Sequence, residues 1–329
     1  MKKHSQCKST RDEHRIEHVT LGFHCEIDKQ CQSVLRRTYP GQCLFDDITK
    51  MDMASKVGLC SCHGKLCQLQ PKLNDTGPVC VDYSSMGLRA KERGPSAAVH
   101  KAYYSNMDCS SCLILVIENV PEYEERVVRA SLSKHWTLVS VRIDPRILGL
   151  AAARARVFII AYRNDKLRWV SPFSLASMVG CLSSRVVLKA KDYFWMNLPP
   201  AVLSDANESN LADYNESTRF TIVDLNQYAK NDRGRGETRD DALPTLTTNS
   251  GKLYSKVHRR FLDGVEMMTS HCLPMTDQHS KKARAPKLIF TGVPTTHVAK
   301  MAGNAMNVPS IGCVLLACAL SLKPKAAKA

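Results

Sequence analysis

The sequence predicts an α/β fold built on a doubly wound, mostly parallel sheet, and three features indicate it. An apolar run at 113–117 (LILVI) is typical of a strand buried on both faces. A second run, VFII within 156–162, is rich in β-branched residues, as strands are. Strand-like and helix-like patterns alternate through the first two-thirds of the chain, and this alternation favours a parallel sheet covered by helices.

The elements follow one another in a regular order. Strands are predicted at 20–25, 42–45, 113–117, 138–144 and 156–162. A helix is predicted at 29–38, where Tyr39-Pro40-Gly41 ends it. A further helix is predicted near 258–271. Another is predicted after Val308-Pro309, because proline fits the first turn of a helix.

Composition divides the chain into three parts. Residues 1–162 would form the main domain, 163–245 a small loop-rich region, and 246–329 a segment that returns to the main domain. The polar stretch 199–241 contains Arg233, Arg235 and Arg239, whose side chains suit contacts with phosphate. A solvated loop without a ligand is the alternative for that stretch.

The charge of the chain indicates a polyanionic partner. Lys and Arg number 46 against 31 Asp and Glu, a net charge of +15 over 329 residues, which favours nucleic acid before a membrane surface. No apolar run is recognised that reaches the roughly 18 residues of a membrane-spanning helix, and 311–322 is predicted to be a buried helix. No apolar signal core is recognised near the N-terminus, so the chain is expected not to be secreted. Its 14 cysteines are therefore expected to be reduced. The expectation is a monomer, in the nucleus of a eukaryote or otherwise in the cytoplasm.

Two short segments carry candidate reactive side chains. GPVCVDYSSMGL (77–88) places Cys80 between a proline-containing turn and a serine-rich loop, a setting that suits a nucleophile better than a packing cysteine. Glu118 follows the apolar run 113–117 with no turn residue between. Ligands bind at the carboxyl ends of strands in open α/β sheets, so Glu118 is a candidate for holding a substrate. A surface glutamate without a function is the alternative.

The order of these and further segments resembles that of the C5-cytosine DNA methyltransferases, S-adenosylmethionine-dependent enzymes with a Rossmann-like class I methyltransferase fold. The resemblance covers roughly residues 20–320 and rests on seven segments in the family's order. They are CEIDKQ (25–30), FDDITKM (45–51), GPVCVDYSSMG (77–87), IENVPEY (117–123), AAARARVF (151–158), LPTLTTN (243–249) with RRFLDGVEMM (259–268), and MAGNAMNVPSIGCVL (301–315).

The resemblance implies a role for four side chains. Cys80 would be the nucleophile that adds to C6 of a flipped cytosine, and Glu118 would hydrogen-bond that base at N3 and the exocyclic amine. Arg154 and Arg156 would hold the ring oxygen and nearby polar groups, with Arg156 the closer to the base. DNA is the expected substrate. RNA is an alternative, because a tRNA-methylating branch shares the Cys and Glu-Asn-Val segments, and an inactive relative that only binds nucleic acid is another.

By the same resemblance, five residues would hold S-adenosylmethionine. Glu26 would bind the ribose hydroxyls and Asp47 the adenine amine, with Ile27 and Ile48 beside the adenine ring. Asn304 would close over the methionine end of the cofactor.

The chain departs from the family most at its start. The family opens with a strand and a Phe-x-Gly-x-Gly-Gly-type loop, whereas the first 19 residues here contain no glycine. Val79 and Ala152 stand where the family usually has Pro and Gln. The expectation is a truncated or degenerate chain that binds the cofactor poorly and has a gap between the strands that normally flank the missing one.

One cysteine-rich segment could bind a metal. CSCHGKLC (60–67) brings together Cys60, Cys62, His63 and Cys67, and thiolates with imidazole are zinc ligands. Their spacing is not that of a paired zinc knuckle, and the adjacent Cys62 and His63 reach one ion awkwardly. A metal-free loop is therefore predicted, with zinc as the alternative.

Overall fold

The computed structural model describes residues 22–84, 87, 89–185, 188–217, 221–227 and 241–326. Within these ranges the strands are β1 Phe23–Cys25, β2 Cys43–Phe45, β3 Val57–Cys60, β4 Lys65–Gln68, β5 Leu73–Thr76, β6 Ile114–Asn119, β7 Trp136–Ile143, β8 Arg156–Arg163, β9 Leu167–Trp169, β10 Ile222–Asp224, β11 Leu253–Ser255, β12 Arg260–Phe261 and β13 Leu322–Pro324. The helices are α1 Lys29–Thr38, α2 Ala97–Cys109, α3 Glu125–Ser131, α4 Leu175–Gly180, α5 Asp205–Ser217, α6 Gly264–Ser270, α7 Asp277–Ala283, α8 Thr295–Asn304 and α9 Val308–Ser321.

The central sheet has four strands in the order β5-β6-β8-β7. β5 and β6 are parallel, whereas β8 is antiparallel to both β6 and β7. The α/β class is confirmed, but this sheet is mixed where the sequence predicted mostly parallel strands. The apolar runs of β6 and β8 reflect burial on both faces and carry no information about strand direction, so the pattern could not reveal the antiparallel pairing.

A gap divides the central sheet from the first two strands. β1 and β2 form a separate parallel pair, and in the described part of the chain β1 and β5 each pair with one strand only. His24 of β1 and Asp75 of β5 are nevertheless close enough to interact electrostatically. Residues 1–21 lie outside the described ranges, so the expected gap stays a prediction. His24 Nε2 is buried there without a hydrogen-bond partner among them.

Alternation along β6 distributes its side chains between two apolar layers. Leu115 and Ile117 belong to the cluster that includes residues of α2 and α3. Val116, between them, belongs to the cluster on the opposite face, with residues of α4 and α9. Successive strand residues point to opposite faces, so one six-residue strand anchors both helical layers. A third cluster joins α6 and α8.

Several helix boundaries match the sequence signals. The helix predicted at 29–38 is α1, and the Asp28 carboxylate caps it by accepting hydrogen bonds from the N–H groups of Gln30 and Cys31 at 2.9 and 3.0 Å. Pro309 lies in the first turn of α9. The helix predicted near 258–271 is shorter, because β12 precedes it and Asp263 caps α6.

One stretch, Thr295–Ser321, is long and apolar enough to cross a membrane by length and composition alone, with a mean hydropathy of 1.5. The apolar run 311–322, which the sequence predicted to be a buried helix, covers only its second half. The stretch comprises α8 and α9, which are separated by 305–307. The buried faces of the two helices contribute to different apolar clusters.

The division into three parts stays a prediction. β9 and α4, which the sequence assigned to the small region, contribute to the same apolar cluster as α9 and the central sheet. Residues 190–194 and 242–246 share the cluster of α6 and α8.

Candidate active site

Two candidate residues lie at the same edge of the central sheet. β5 and β6 run in parallel, Cys80 comes four residues after the end of β5, and Glu118 is the penultimate residue of β6. A Cβ atom placed on Gly77 would lie 3.4 Å from Glu118 Oε2. Three residues span at most about 11 Å of extended chain, so Cys80 is within that distance of a position touching Glu118. Glu118 belongs to the strand itself and not to the loop after it.

Glu118 is a buried carboxyl group beside an arginine. Only 6% of the residue is exposed, and Arg156 Nε lies 3.1 Å from Glu118 Oε1. The contact is an ion pair in which Glu118 is buried and Arg156 nearly so. Burial raises the pKa of Glu118, while Arg156 and Arg154 oppose that rise. The site can therefore keep a proton on this carboxyl group to a higher pH than an exposed glutamate would.

Asn119 fixes the start of the Cys80 loop. Its side-chain Nδ2 donates a hydrogen bond to the carbonyl oxygen of Pro78 at 3.1 Å. The Cys80 carbonyl oxygen then accepts hydrogen bonds from the N–H groups of Tyr83 and Ser84, both at 2.9 Å. The backbone on both sides of the Cys80 thiol is thus held by hydrogen bonds, and the half-buried thiol packs against the edge of the apolar core.

A histidine under the loop adds a second anchor. His100 Nε2 lies 2.8 Å from the Val79 carbonyl oxygen, which can only accept, so Nε2 carries the proton. His100 Nδ1 must then accept from the Tyr123 hydroxyl at 3.2 Å, and Tyr123 in turn accepts from Tyr104 at 2.8 Å. Burial lowers the pKa of His100, which keeps the ring in this neutral, singly protonated form.

Arg154 connects three distant parts of the sequence. The residue is 3% exposed, and its Nη1 and Nη2 donate to the carbonyl oxygens of Leu246 and Gly303 at 3.1 and 3.2 Å. Burial and the charge of Arg156 lower the pKa of Arg154 to about 10, although the charges of Glu118 and Cys80 raise it. Arg154 is thus near both candidate catalytic residues, but its guanidinium holds backbone carbonyls. Arg156, in contrast, lies beside the Glu118 carboxylate.

The ends of β1 and β2 carry the residues predicted to bind the adenosine. The N–H group of Glu26 donates to the Phe45 carbonyl oxygen at 2.9 Å, which brings the two strand ends together. Glu26 is half-buried, and its Oε1 accepts from the N–H group of Asp28 at 2.8 Å. Burial raises the pKa of Glu26. Ile27 is 71% exposed although it is apolar.

The end of β2 is followed by two aspartates and an isoleucine. Asp47 Oδ1 accepts from the backbone N–H and the hydroxyl of Thr49 at 2.9 and 2.7 Å, so this atom caps a turn. The neighbouring Asp46 has a buried Oδ1 with no hydrogen-bond partner in the described part of the chain. Ile48 packs against the apolar core. Asp46 Oδ2 pairs with Lys29 Nζ at 3.2 Å, whereas Ile27 is exposed, and Asp47 Oδ1 and Ile48 are engaged by the fold.

The segment around Asn304 packs close to the 247–248 backbone. A Cβ atom on Gly303 would lie 2.3 Å from Thr247 C and 2.4 Å from Thr248 N, so only glycine permits this approach. Asn304 ends α8 and is exposed. At the other end of the same helix, His297 Nε2 lies 3.5 Å from Asp28 Oδ1 at the start of α1. Helix α8 thus extends from the Arg154 anchor to the Glu26–Asp28 turn.

No protein-family model and no curated protein matches the sequence, but solved structures match the fold. The Entamoeba histolytica methyltransferase EhMeth aligns with a TM-score of 0.63 at 12% identity, covering 92% of this chain and 91% of that one. The S. pombe Dnmt2 methyltransferase gives 0.59 at 12% identity with the same two coverages. A protein described as a DNA modification methyltransferase encoded within an E. coli prophage gives 0.59 at 13% identity, covering 92% of both chains. The chain has the fold of these methyltransferases.

The methyltransferase fold contains buried polar residues that the sequence analysis missed. Asp82 is fully buried, and its Oδ2 accepts from the N–H and hydroxyl groups of Ser96 at the start of α2. His271 is 1% exposed, and its Nε2 donates to the Ala302 carbonyl oxygen at 3.0 Å. Burial, with Arg154 and Arg156, lowers the pKa of His271 to about 3. His271 lies outside all seven segments, and Asp82 lies within GPVCVDYSSMG (77–87), where nothing local distinguishes a buried carboxylate from an exposed one.

Two further predicted sets have different outcomes. Arg233, Arg235 and Arg239 lie outside the described residues. Of the cysteine-rich set, Cys60, His63 and Cys67 come together in the methyltransferase fold, whereas Cys62 is exposed on the turn between β3 and β4. Cys43 of β2 joins the first three instead.

Proposed function

We propose that the chain methylates C5 of cytosine in nucleic acid, with DNA as the substrate that the sequence resemblance implies. The observation that carries the proposal is that the Cys80 loop and the buried Glu118 lie at one edge of the sheet, where a Cβ atom on Gly77 would be 3.4 Å from Glu118 Oε2. A cleft with these two groups can hold one base from two sides. The similarity to solved methyltransferases supports the reaction class.

The residue types fit the chemistry of cytosine. C5 of the ring is a poor nucleophile until a thiolate adds to C6, which makes C5 electron-rich. Cys80 would supply that thiolate. Glu118, with its raised pKa, would hold a proton against N3 and accept a hydrogen bond from the exocyclic amine, which favours the addition. After methylation, loss of the C5 proton expels the Cys80 thiolate and restores the ring. The base must leave the duplex to reach the cleft.

The described residues fit the adenosine half of S-adenosylmethionine. Ile27 offers an exposed apolar surface for a ring, Asp46 pairs with Lys29 through Oδ2 while its buried Oδ1 has no hydrogen-bond partner among the described residues, and Glu26 is oriented by the Asp28 N–H group. When bound, S-adenosylmethionine would supply an electrophilic methyl group. Glu26 would accept from the ribose hydroxyls, and Asn304, at the end of α8 opposite the His297–Asp28 contact, would face the methionine half.

The test is methyl transfer from labelled S-adenosylmethionine to matched DNA and RNA oligonucleotides. Cys80→Ser should abolish incorporation, because a hydroxyl group is a far weaker nucleophile than a thiolate, while gel-shift binding of the oligonucleotides persists. Cys109→Ser is the matched control, since Cys109 is an exposed cysteine at the end of α2. Its activity should equal that of the wild type.

The outcomes separate the alternatives. Incorporation into RNA alone would assign the chain to an RNA substrate. Binding without incorporation in the wild type would favour the inactive nucleic-acid-binding relative. Wild-type incorporation by Cys80→Ser would place the nucleophile elsewhere. Titration calorimetry with S-adenosylmethionine tests the expected weak affinity, and micromolar binding would show that another segment replaces the glycine loop.

A further inference from the structure

Four soft donor atoms converge beside β2, and none of them belongs to the Cys80 loop or to Glu118. The Sγ atoms of Cys43, Cys60 and Cys67 and a ring nitrogen of His63 all lie within 4.8 Å of one another. His63 Nδ1 lies 3.6 Å from Cys43 Sγ, 3.3 Å from Cys60 Sγ and 3.4 Å from Cys67 Sγ. One nitrogen is therefore almost equally distant from three sulfur atoms.

Hydrogen bonding cannot account for this arrangement. Imidazole Nδ1 has one lone pair or one proton, so it can form one good hydrogen bond with a thiol and not three. A central cation accounts for all three distances at once. With Zn–S bonds of about 2.3 Å and a Zn–N bond of about 2.0–2.1 Å at the tetrahedral angle, sulfur and nitrogen ligands lie about 3.5 Å apart. The observed values of 3.3–3.6 Å bracket that separation.

Local structure explains how the sequence brings the donors together. Cys60 ends β3 and Cys67 lies in β4, and the two strands form an antiparallel hairpin. The tight turn between them includes Gly64 at φ +62°, a left-handed conformation that glycine adopts without strain. His63 in that turn thereby reaches the same side as both cysteines.

The fourth donor comes from the neighbouring strand. The N–H group of Ser61 donates to the Leu44 carbonyl oxygen at 2.9 Å, which holds the hairpin against β2. The N–H group of Leu44 lies 3.4 Å from Cys60 Sγ, and such N–H donors favour a thiolate at that sulfur. Cys43, just before Leu44, completes the set. The adjacent residues Cys62 and His63 need not bind the same ion, which removes the objection raised from the sequence.

We propose that Cys43, Cys60, His63 and Cys67 form a tetrahedral Cys₃His zinc site. All four ligand positions are filled by the protein, as in structural zinc sites, so no position remains for water or substrate. Three thiolates and one imidazole select a soft or borderline cation over Mg²⁺ or Ca²⁺. The ion fastens the β3–β4 hairpin to β2, whose carboxyl end carries Asp46 and Asp47.

The first test measures metal in the purified chain. Elemental analysis should find one zinc per chain, and X-ray absorption of that zinc should fit three sulfur neighbours and one nitrogen. Cobalt exchanged into the site should give the thiolate charge-transfer band and the visible bands of tetrahedral Co²⁺. A wild-type chain that holds no zinc and gives only the octahedral cobalt spectrum would overturn the proposal.

A pair of cysteine variants tests the identity of the ligands. Cys43→Ser should lower zinc affinity by 100-fold or more in competition with a chromophoric chelator, whereas Cys62→Ser should keep wild-type affinity because its side chain is exposed on the turn. Zinc lost from Cys62→Ser and retained by Cys43→Ser would refute this ligand set. If Cys43→Ser does not fold, the sulfur and nitrogen count from absorption of the wild-type protein decides. Methyl transfer is not a readout of either test.

Discussion

Glu118 is subject to two opposing influences. Burial favours its neutral form, whereas Arg156 and Arg154 favour the carboxylate, and the balance raises its pKa above the ordinary value of 4.5. Between pH 4.5 and the raised pKa, the folded chain keeps a proton that the unfolded chain has released. The free energy of unfolding therefore falls as pH rises through that window, by up to about 1.4 kcal/mol per pH unit, and is unaffected above it.

Glu118→Gln tests this balance, because the amide has nearly the shape of the carboxyl group and does not titrate. We expect the stability of the variant relative to wild type to rise with pH above 4.5 and then level off. Urea unfolding of both proteins from pH 4.5 to 8 measures the difference. Glu122→Gln is the matched control for the substitution itself, since that side chain is exposed. A difference that falls with pH would mean that the arginines outweigh burial.

At the scale of elements, Gly303 sets the distance between α8 and the 247–248 backbone. Gly303→Ala would push a methyl group to within 2.3 Å of Thr247 C, so the backbone must shift. We expect a loss of about 1–3 kcal/mol in the free energy of unfolding. Methyl transfer should also fall, because the Gly303 carbonyl oxygen accepts a hydrogen bond from Arg154.

Gly312→Ala is the matched control, because Gly312 lies in α9 with open space around its Cα. Alanine has the higher helix propensity, so this variant should gain about 0.5–1 kcal/mol. Thermal and urea unfolding give both values. Equal effects of the two substitutions would contradict the close approach at Gly303.

A buried ion pair holds the 194–196 segment to α6. Arg260 and Glu266 form two hydrogen bonds of 2.8 Å, with side chains 4% and 0% exposed. Glu266 also accepts a hydrogen bond from the N–H group of Met196 at 2.8 Å. Arg260 donates a hydrogen bond to the carbonyl oxygen of Met196, also at 2.8 Å. Two elements far apart in sequence therefore depend on one carboxylate.

Glu266→Ala would leave the Arg260 guanidinium and the Met196 N–H group buried without this acceptor. We expect a loss of about 3–5 kcal/mol in the free energy of unfolding. Asp277→Ala serves for comparison, since Asp277 pairs with Lys287 at 2.9 Å with both side chains exposed, and such pairs contribute about 1 kcal/mol or less. Similar losses in the two variants, measured by urea unfolding, would show that burial of the pair is energetically unimportant.

For the whole molecule, the net charge of +15 makes a prediction about nucleic-acid binding. Each phosphate neutralised releases condensed counterions, so log affinity should fall linearly with log salt, by about 0.9 per contact on a duplex and about 0.7 on a single strand. Fluorescence anisotropy with labelled duplex and single-stranded oligonucleotides between 50 and 200 mM KCl measures both slopes. An affinity that does not change with salt would rule out the charge as the source of binding.

Much of the fold could be predicted because its signals are local. The apolar run of β6, the Asp28 cap of α1 and Pro309 in α9 each lie within a few residues of the structure they specify. Strand direction has no local signal. The contact of Cys43 with the other three clustered donors has none either, because Cys43 comes from a different strand. The segment order singled out Cys80 and Glu118, but the carbonyl partners of Arg154 could not be predicted because backbone oxygens have no residue signature.

Those carbonyl partners also bear on the order in which the chain can fold. Arg154 contacts Leu246 and Gly303, which lie 92 and 149 residues further along the sequence. Closing segments of this length loses chain entropy before any contact forms, and contacts between distant residues slow folding. During synthesis the Cys80 loop and β6 emerge long before α8. The arginine beside them is therefore secured only in the last stage of folding, when the C-terminal helices dock.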